Sequence, residues 1–135
     1  MNYLLDVNVM VAWGWADHTH HSRVDRWITG MAESTASLFH TTSIIELGFV
    51  RVSALRSNGE VSIKKAVDVL RRQRARLGDH LMLLPDDLSS CRDFPAWCKN
   101  PKHTTDAHLL ALAEKHGLQL ATLDTGIPGA FVIPE

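Results

Sequence analysis

Tyr3-Leu4-Leu5-Asp6-Val7-Asn8-Val9-Met10-Val11 sets one acid inside an apolar run. The residues before it read as a short buried strand, and those after it as a helix lying over the core. A carboxylate in that position is costly to bury without a partner. The arrangement recurs along the chain. Glu46 lies just past Leu38-Phe39-His40-Thr41, Asp106 opens the helical pattern from Ala107 to His116, and Asp124 ends Leu120-Ala121-Thr122-Leu123. In an open parallel sheet, functional groups gather beyond the carboxyl ends of the strands. Four acids meeting there repel one another unless a cation lies between them. Hard divalent cations such as Mg²⁺ take oxygen ligands of this kind. The pattern points to a metal-dependent site.

Outward from that stretch, strands and helices alternate. Strands are expected over 2–5, 37–41, 81–84 and 120–123, with a short fifth over 130–133. The first helix is expected over 7–15, where Asn8 is a candidate N-cap. Val24, Trp27, Ile28 and Met31 at helical spacing predict a second over 22–31. A third runs over 43–55 with Ile44, Leu47, Val50 and Ala54 on one face. Ser62 caps a fourth that stops at Gly78. Thr104 or Thr105 caps a fifth ending at Gly117, with Lys115 and His116 in its last turn, where they suit the helix dipole. Asn58-Gly59 marks a turn, and 86–104 is irregular. This alternation implies a parallel sheet covered on both faces, in one domain over 1–135.

Composition narrows the function classes. The 135 residues are 45% apolar and 21% charged, with a net charge of −1. Nothing in that balance draws the chain toward nucleic acid as a whole, so an RNA contact would need a local patch. The N-terminus has no basic lead and no long apolar run, so no signal peptide is expected. No stretch approaches ~18 uninterrupted apolar residues, so no membrane span is expected and the cytoplasm is the expected location. Cys91 and Cys98 form neither a CxxC motif nor a disulfide framework.

The ordered set Leu4-Leu5-Asp6-Val7-Asn8, Glu46, Asp106-Ala107-His108-Leu109 and Thr122-Leu123-Asp124 resembles PIN-domain nucleases, most closely the VapC-type toxin ribonucleases, over essentially the whole chain. The resemblance implies an α/β/α sandwich around a short parallel sheet. It implies an endoribonuclease that uses Mg²⁺ or Mn²⁺, held inactive by a cognate antitoxin, and a homodimer to which Trp13, Trp15 and Val50 are candidate contributors. Asp6, Glu46, Asp106 and Asp124 match the family's acidic quartet, and Asn8 matches a polar position two after the first acid. Many members carry Thr or Ser after that acid, where this chain has Val7.

The chemistry is coherent without the family. Hydrolysing a phosphodiester needs an activated water and relief of charge on the phosphoryl and leaving oxygens, and divalent ions supply these. No covalent nucleophile is required, and the sequence shows no GxSxG, Cys/His or Walker-type signature.

Plainer roles remain open for each acid. Ser43-Ile44-Ile45-Glu46 matches a capping box. Asp106 suits the positive end of its helix. Asp124-Thr125-Gly126 suits a turn. Asp86 and Asp87 lie outside the family pattern and are expected to cap or solvate the loop that follows them. His18, His20 and His21 lack the i, i+4 spacing of helical zinc motifs. Trp27 is expected in the core, and Trp97 is a candidate for stacking an RNA base.

Lys64, Lys65, Arg71, Arg72, Arg74 and Arg76 crowd one helix above the stripe Ile63, Val67, Leu70 and Leu77, and Arg51 and Arg56 continue the theme on the helix before. RNA guidance, antitoxin docking and a solvated face all fit this pattern. Two rival readings of the whole chain are an aspartate-based phosphohydrolase and a non-catalytic α/β interaction domain. The first normally has a second acid where this chain has Asn8.

Overall fold

A computed structural model describes residues 1–135. Five strands, β1 (Tyr3–Leu5), β2 (Phe39–Thr41), β3 (Leu81–Leu83), β4 (Gln119–Thr122) and β5 (Phe131–Val132), form one sheet in the order β3-β2-β1-β4-β5. All four pairings are parallel. β1 is central, pairing Tyr3 with both Phe39 and Gln119. The two central strands are apolar on both faces: Leu4, Leu5, Leu120 and Ala121 are buried. This is the composition expected of a sheet sandwiched between helices.

Five helices cover it: α1 (Val7–Gly14), α2 (His21–Ser34), α3 (Ser43–Arg56), α4 (Ile63–Leu77) and α5 (Thr104–Lys115). α1 packs on α2, α3 and α4, whereas α5 packs on β4 and β1. With right-handed crossovers, the connections β1–β2 and β2–β3 put α1 to α4 on one face. The connection β3–β4 runs back across the sheet and puts α5 on the other. The strand order therefore reverses between β1 and β4, and a parallel sheet opens its ligand crevice at such a reversal.

Close approach between helices fixes the first face. A Cβ on Gly48 of α3 would lie 2.9 Å from a methyl of Val7, and one on Gly14 would lie 2.9 Å from the Phe49 ring and 3.0 Å from Gln73 Nε2. Gln73 in turn donates to the Met10 carbonyl at 2.8 Å, tying α4 to α1. Tyr3, Trp27, Phe39 and Phe131 form an aromatic cluster with centroids 4.9 to 6.1 Å apart.

Several local expectations are corrected. α3 buries Ile45, Gly48, Phe49 and Ser53, while Ile44 and Leu47 face outward at 40% and 70% exposure. The N-cap of α3 is Thr42, whose hydroxyl accepts from Ile45 N–H at 3.1 Å, so no capping box runs from Ser43 to Glu46. α4 is capped by Ser62 and stopped at Gly78 as expected, but it buries Ala66, Val69, Leu70 and Gln73 and leaves Ile63 exposed. Neither Thr104 nor Thr105 caps α5. A 3-10 turn over Pro101–His103 leads into it, with Asn100 Oδ1 accepting from Lys102 N–H at 3.1 Å and the Thr104 hydroxyl donating to the Pro101 carbonyl at 2.7 Å. Trp13 is core, with its indole N–H bonded to Asp25, and Trp15 donates to Ser53 at 2.8 Å. No helix is long and apolar enough to cross a membrane.

Candidate active site

β1 ends at Leu5, so Asp6 sits at the carboxyl edge of the central strand, beside the β1/β4 reversal. It is the N-cap of α1: its Oδ1 accepts from Val7 N–H at 2.7 Å. That placement displaces Asn8, which lies within α1 and reaches across to β4. Asn8 Oδ1 accepts from Leu123 N–H at 3.2 Å, and its amide donates to the Thr122 hydroxyl, also at 3.2 Å.

The sequence reading assigned Thr122 no role, yet it organises this corner. Its hydroxyl donates to Asp6 Oδ2 at 2.8 Å and accepts from Asp124 N–H at 3.1 Å. A hydroxyl at the end of a buried strand needs partners, and this need was the signal available in sequence. Asp124 then turns the chain, with Oδ1 accepting from Gly126 N–H at 2.7 Å.

The electrostatics follow from this packing. Asp6 is 5% exposed, and burial pushes its carboxyl up to about 6. Hydrogen bonds from Thr122 and Val7 pull the other way, while the charges of Asp106 and Asp124 add to the rise. Asp106, in the first turn of α5, is also held above the usual carboxylate range, first by partial burial and then by Asp124, against the pull of His103. Asp6 and Asp106 line one open cavity of about 340 Å³, together with Ile44, Leu47, Arg51 and Lys102.

Asp6, Asp106 and Asp124 are thus brought into mutual repulsion at one edge of the sheet. They do not form a closed ligand cage: no three His, Cys, Asp or Glu side chains are grouped within reach of one ion. Glu46 is not drawn into the set. It lies on the face of α3 turned toward α4, where it accepts from Arg74 at 2.8 Å. Glu46→Gln keeps a hydrogen bond to Arg74 and removes the charge. Because the two side chains are 23% and 40% exposed, stability measured by urea melting without divalent ions should fall by less than about 1 kcal/mol. A larger loss would make the ion pair a main tie between α3 and α4.

The remaining candidates have structural partners. His108 Nε2 lies 2.9 and 3.0 Å from the two Asp86 oxygens, so Asp86 anchors its loop to α5 rather than capping or solvating that loop. Asp87 pairs with Lys115 and His116. On α4, Arg74 is taken by Glu46, Arg71 by Asp68, and Arg76 by Asp25 and the Trp13 ring. Trp97 is half-buried beside Phe94 and Pro95 along α5.

A five-stranded parallel sheet between helices, with acids gathered where its strand order reverses, defines an acid-cleft α/β/α domain. The chain belongs to the PIN domain family, whose model matches residues 3–130. It is 37% identical over 132 residues to ribonuclease VapC39 of Mycobacterium tuberculosis strain H37Rv, covering 94% of this chain and 91% of that protein. It is 40% identical over 126 residues to ribonuclease VapC38 of the same strain, covering 92% and 86%. The crystal structure of Mycobacterium tuberculosis VapC20, a toxin described as cleaving the sarcin–ricin loop, shares the fold with a TM-score of 0.62 at 16% identity, over 98% of this chain and 99% of that one.

Proposed function

We propose that this chain is a toxin endoribonuclease of a toxin–antitoxin pair, hydrolysing RNA phosphodiester bonds with Mg²⁺ or Mn²⁺ that is held first at Asp6 and draws Asp106 and Asp124 inward as it binds. The observation that carries the metal is the Asp6 carboxylate. It is buried, it has no cationic side chain as partner, and it is raised further by two neighbouring acids. Buried charge of that kind is tolerated where a cation compensates it, and an all-oxygen donor set suits a hard divalent ion. Likeness to proteins named as ribonucleases supports the reaction class.

When bound, a divalent ion supplies an activated water and neutralises charge on the phosphoryl and leaving oxygens. The chain's own part is orientation. Val7 N–H and the Thr122 hydroxyl fix both oxygens of Asp6, and Asn8 and Asp124 N–H fix Thr122. Asp106 enters the same cleft from the first turn of α5. Glu46 joins this set only by releasing Arg74.

The test is cleavage of single-stranded RNA with Mg²⁺ or Mn²⁺. A chelator should abolish it, and added Mn²⁺ should restore it. RNA cleavage that persists unchanged in excess chelator would remove the metal from the mechanism, and no cleavage with either ion would remove the ribonuclease. The same preparation is expected to sediment as a homodimer and to be silenced by an antitoxin. Trp13 is too deeply buried to contribute to a dimer interface.

A further inference from the structure

We infer that Arg51 and Lys102 are the phosphate-holding residues of the cleft, gripping the RNA backbone from two separate elements of the fold. This rests on the ribonuclease reading above and adds the residues that bind the substrate. Arg51 projects from α3 and Lys102 from the 3-10 turn ahead of α5, and both line the cavity that holds Asp6 and Asp106. Both are exposed, and neither makes an ion pair or a side-chain hydrogen bond. Their charges are therefore free for a ligand.

The site needs such charges. Three carboxylates against one divalent ion still leave a negative balance, and the whole chain at −1 provides no attraction from a distance. A polyanion entering this cleft requires local cations. Arginine suits a phosphate as a planar fork and lysine as a mobile point charge. The basic helix α4 is the obvious competitor, but Arg71, Arg74 and Arg76 are already paired with Asp68, Glu46 and Asp25, and its unpaired Lys64, Lys65 and Arg72 do not line the cavity that holds Asp6 and Asp106. The cations that remain free beside the acids come from α3 and the lead-in to α5. On the same stripe of α3 as Arg51, Ile44 and Leu47 give the cleft an apolar wall, where a sugar or base edge can rest.

Contacts of this type position RNA without reading its sequence. The experiment measures affinity for a short fluorescent single-stranded RNA against salt, in an Asp6→Asn background that prevents cleavage. Arg51→Ala and Lys102→Ala should each weaken binding about tenfold and flatten the logarithmic salt slope by about 0.7. Arg51→Lys should recover the slope but only part of the affinity. In the chain with Asp6 intact, the same substitutions should raise KM and leave the cleaved position and Mn²⁺ affinity unchanged. If both alanine variants bind RNA with wild-type affinity and slope, the assignment is overturned. It is equally overturned if they lose only the binding of an acidic peptide, which would make the two residues a partner surface. Failure of the unsubstituted chain to bind Mn²⁺ or cut RNA would instead strike the ribonuclease reading itself.

Discussion

Asp6→Asn is expected to reduce RNA cleavage on the order of 100-fold or more while making the metal-free protein harder to unfold. A loss of about 3 kcal/mol of transition-state stabilisation is about 100-fold in rate, and an ion without its buried ligand loses at least that. The gain in stability follows from the sign of the shift. Burial raises the Asp6 carboxyl from 3.8 to about 6 in the folded chain. A raised carboxyl contributes stability that is fully present below the unfolded value and lost as pH climbs through the folded one. Above pH 7 the native protein therefore carries an ionised, buried carboxylate worth about 2–3 kcal/mol of lost stability.

Asparagine removes that cost. It also brings an N–H toward the Thr122 hydroxyl, which already accepts from Asn8 and Asp124. The conflict returns part of the gain, so a net increase of about 1–2 kcal/mol is expected at pH 7.5. The difference should shrink through pH 6 and vanish near pH 4. Added Mn²⁺ should stabilise the native chain and not the variant, narrowing or reversing the gap. Urea melts at three pH values, with and without Mn²⁺, measure all of this. A variant less stable than the native chain at pH 7.5 without metal would mean that Asp6 is not strained by burial.

Thr122→Val is the second change with a large expected effect. The residue is fully buried, and its hydroxyl joins Asp6, Asn8 and Asp124. Valine preserves shape and removes all three bonds. Two donors, the Asn8 amide and Asp124 N–H, lose their acceptor, and Asp6 loses a bond that lowers its pKa. The combined cost is about 2–4 kcal/mol. Because the Asp6 carboxyl rises further, the acidic limb of the pH–rate profile should move to higher pH. Thr122→Ser, which keeps the hydroxyl, should leave that limb in place. A Thr122→Val protein with native stability and an unmoved profile would reduce the residue to simple packing.

The sheet and the acids were readable because each strand is a short apolar run, Asp6 and Asp124 follow such runs, and Asp106 opens the helix that precedes β4. Asp6, Asp106 and Asp124 needed only that rule and the strand-order reversal to be brought together. α3 was not readable in the same way. Ile44, Ile45, Leu47, Phe49, Val50 and Val52 surround it, so apolar spacing alone does not orient it. What turns it is the contact of Gly48 with Val7, a fact of tertiary packing. That rotation sends Leu47 and Arg51 into the cleft and Glu46 toward Arg74. Asn8 was misread because a side chain acting 114 residues away looks, locally, like a cap. The pairing on α4 was only partly readable: Asp68 lies on the helix itself, but the partners of Arg74 and Arg76, Glu46 and Asp25, come from other helices.

The position of β1 also governs when activity can appear during synthesis. Its first neighbour, β2, follows within forty residues, but its second, β4, is made only after β2, β3 and all five helices. Asp6 and the hydroxyl that holds it are separated by 116 positions in the chain. A nascent polypeptide that has passed its first four helices still has no β4 and no Asp124, and only β1 of the two strands on which α5 packs. Pairings between segments so far apart in sequence form late and slowly. An agent that attacks RNA is thus built on an RNA machine in an order that withholds its cutting edge until β4 has followed all five helices. The delay is written into the strand order and requires no inhibitor.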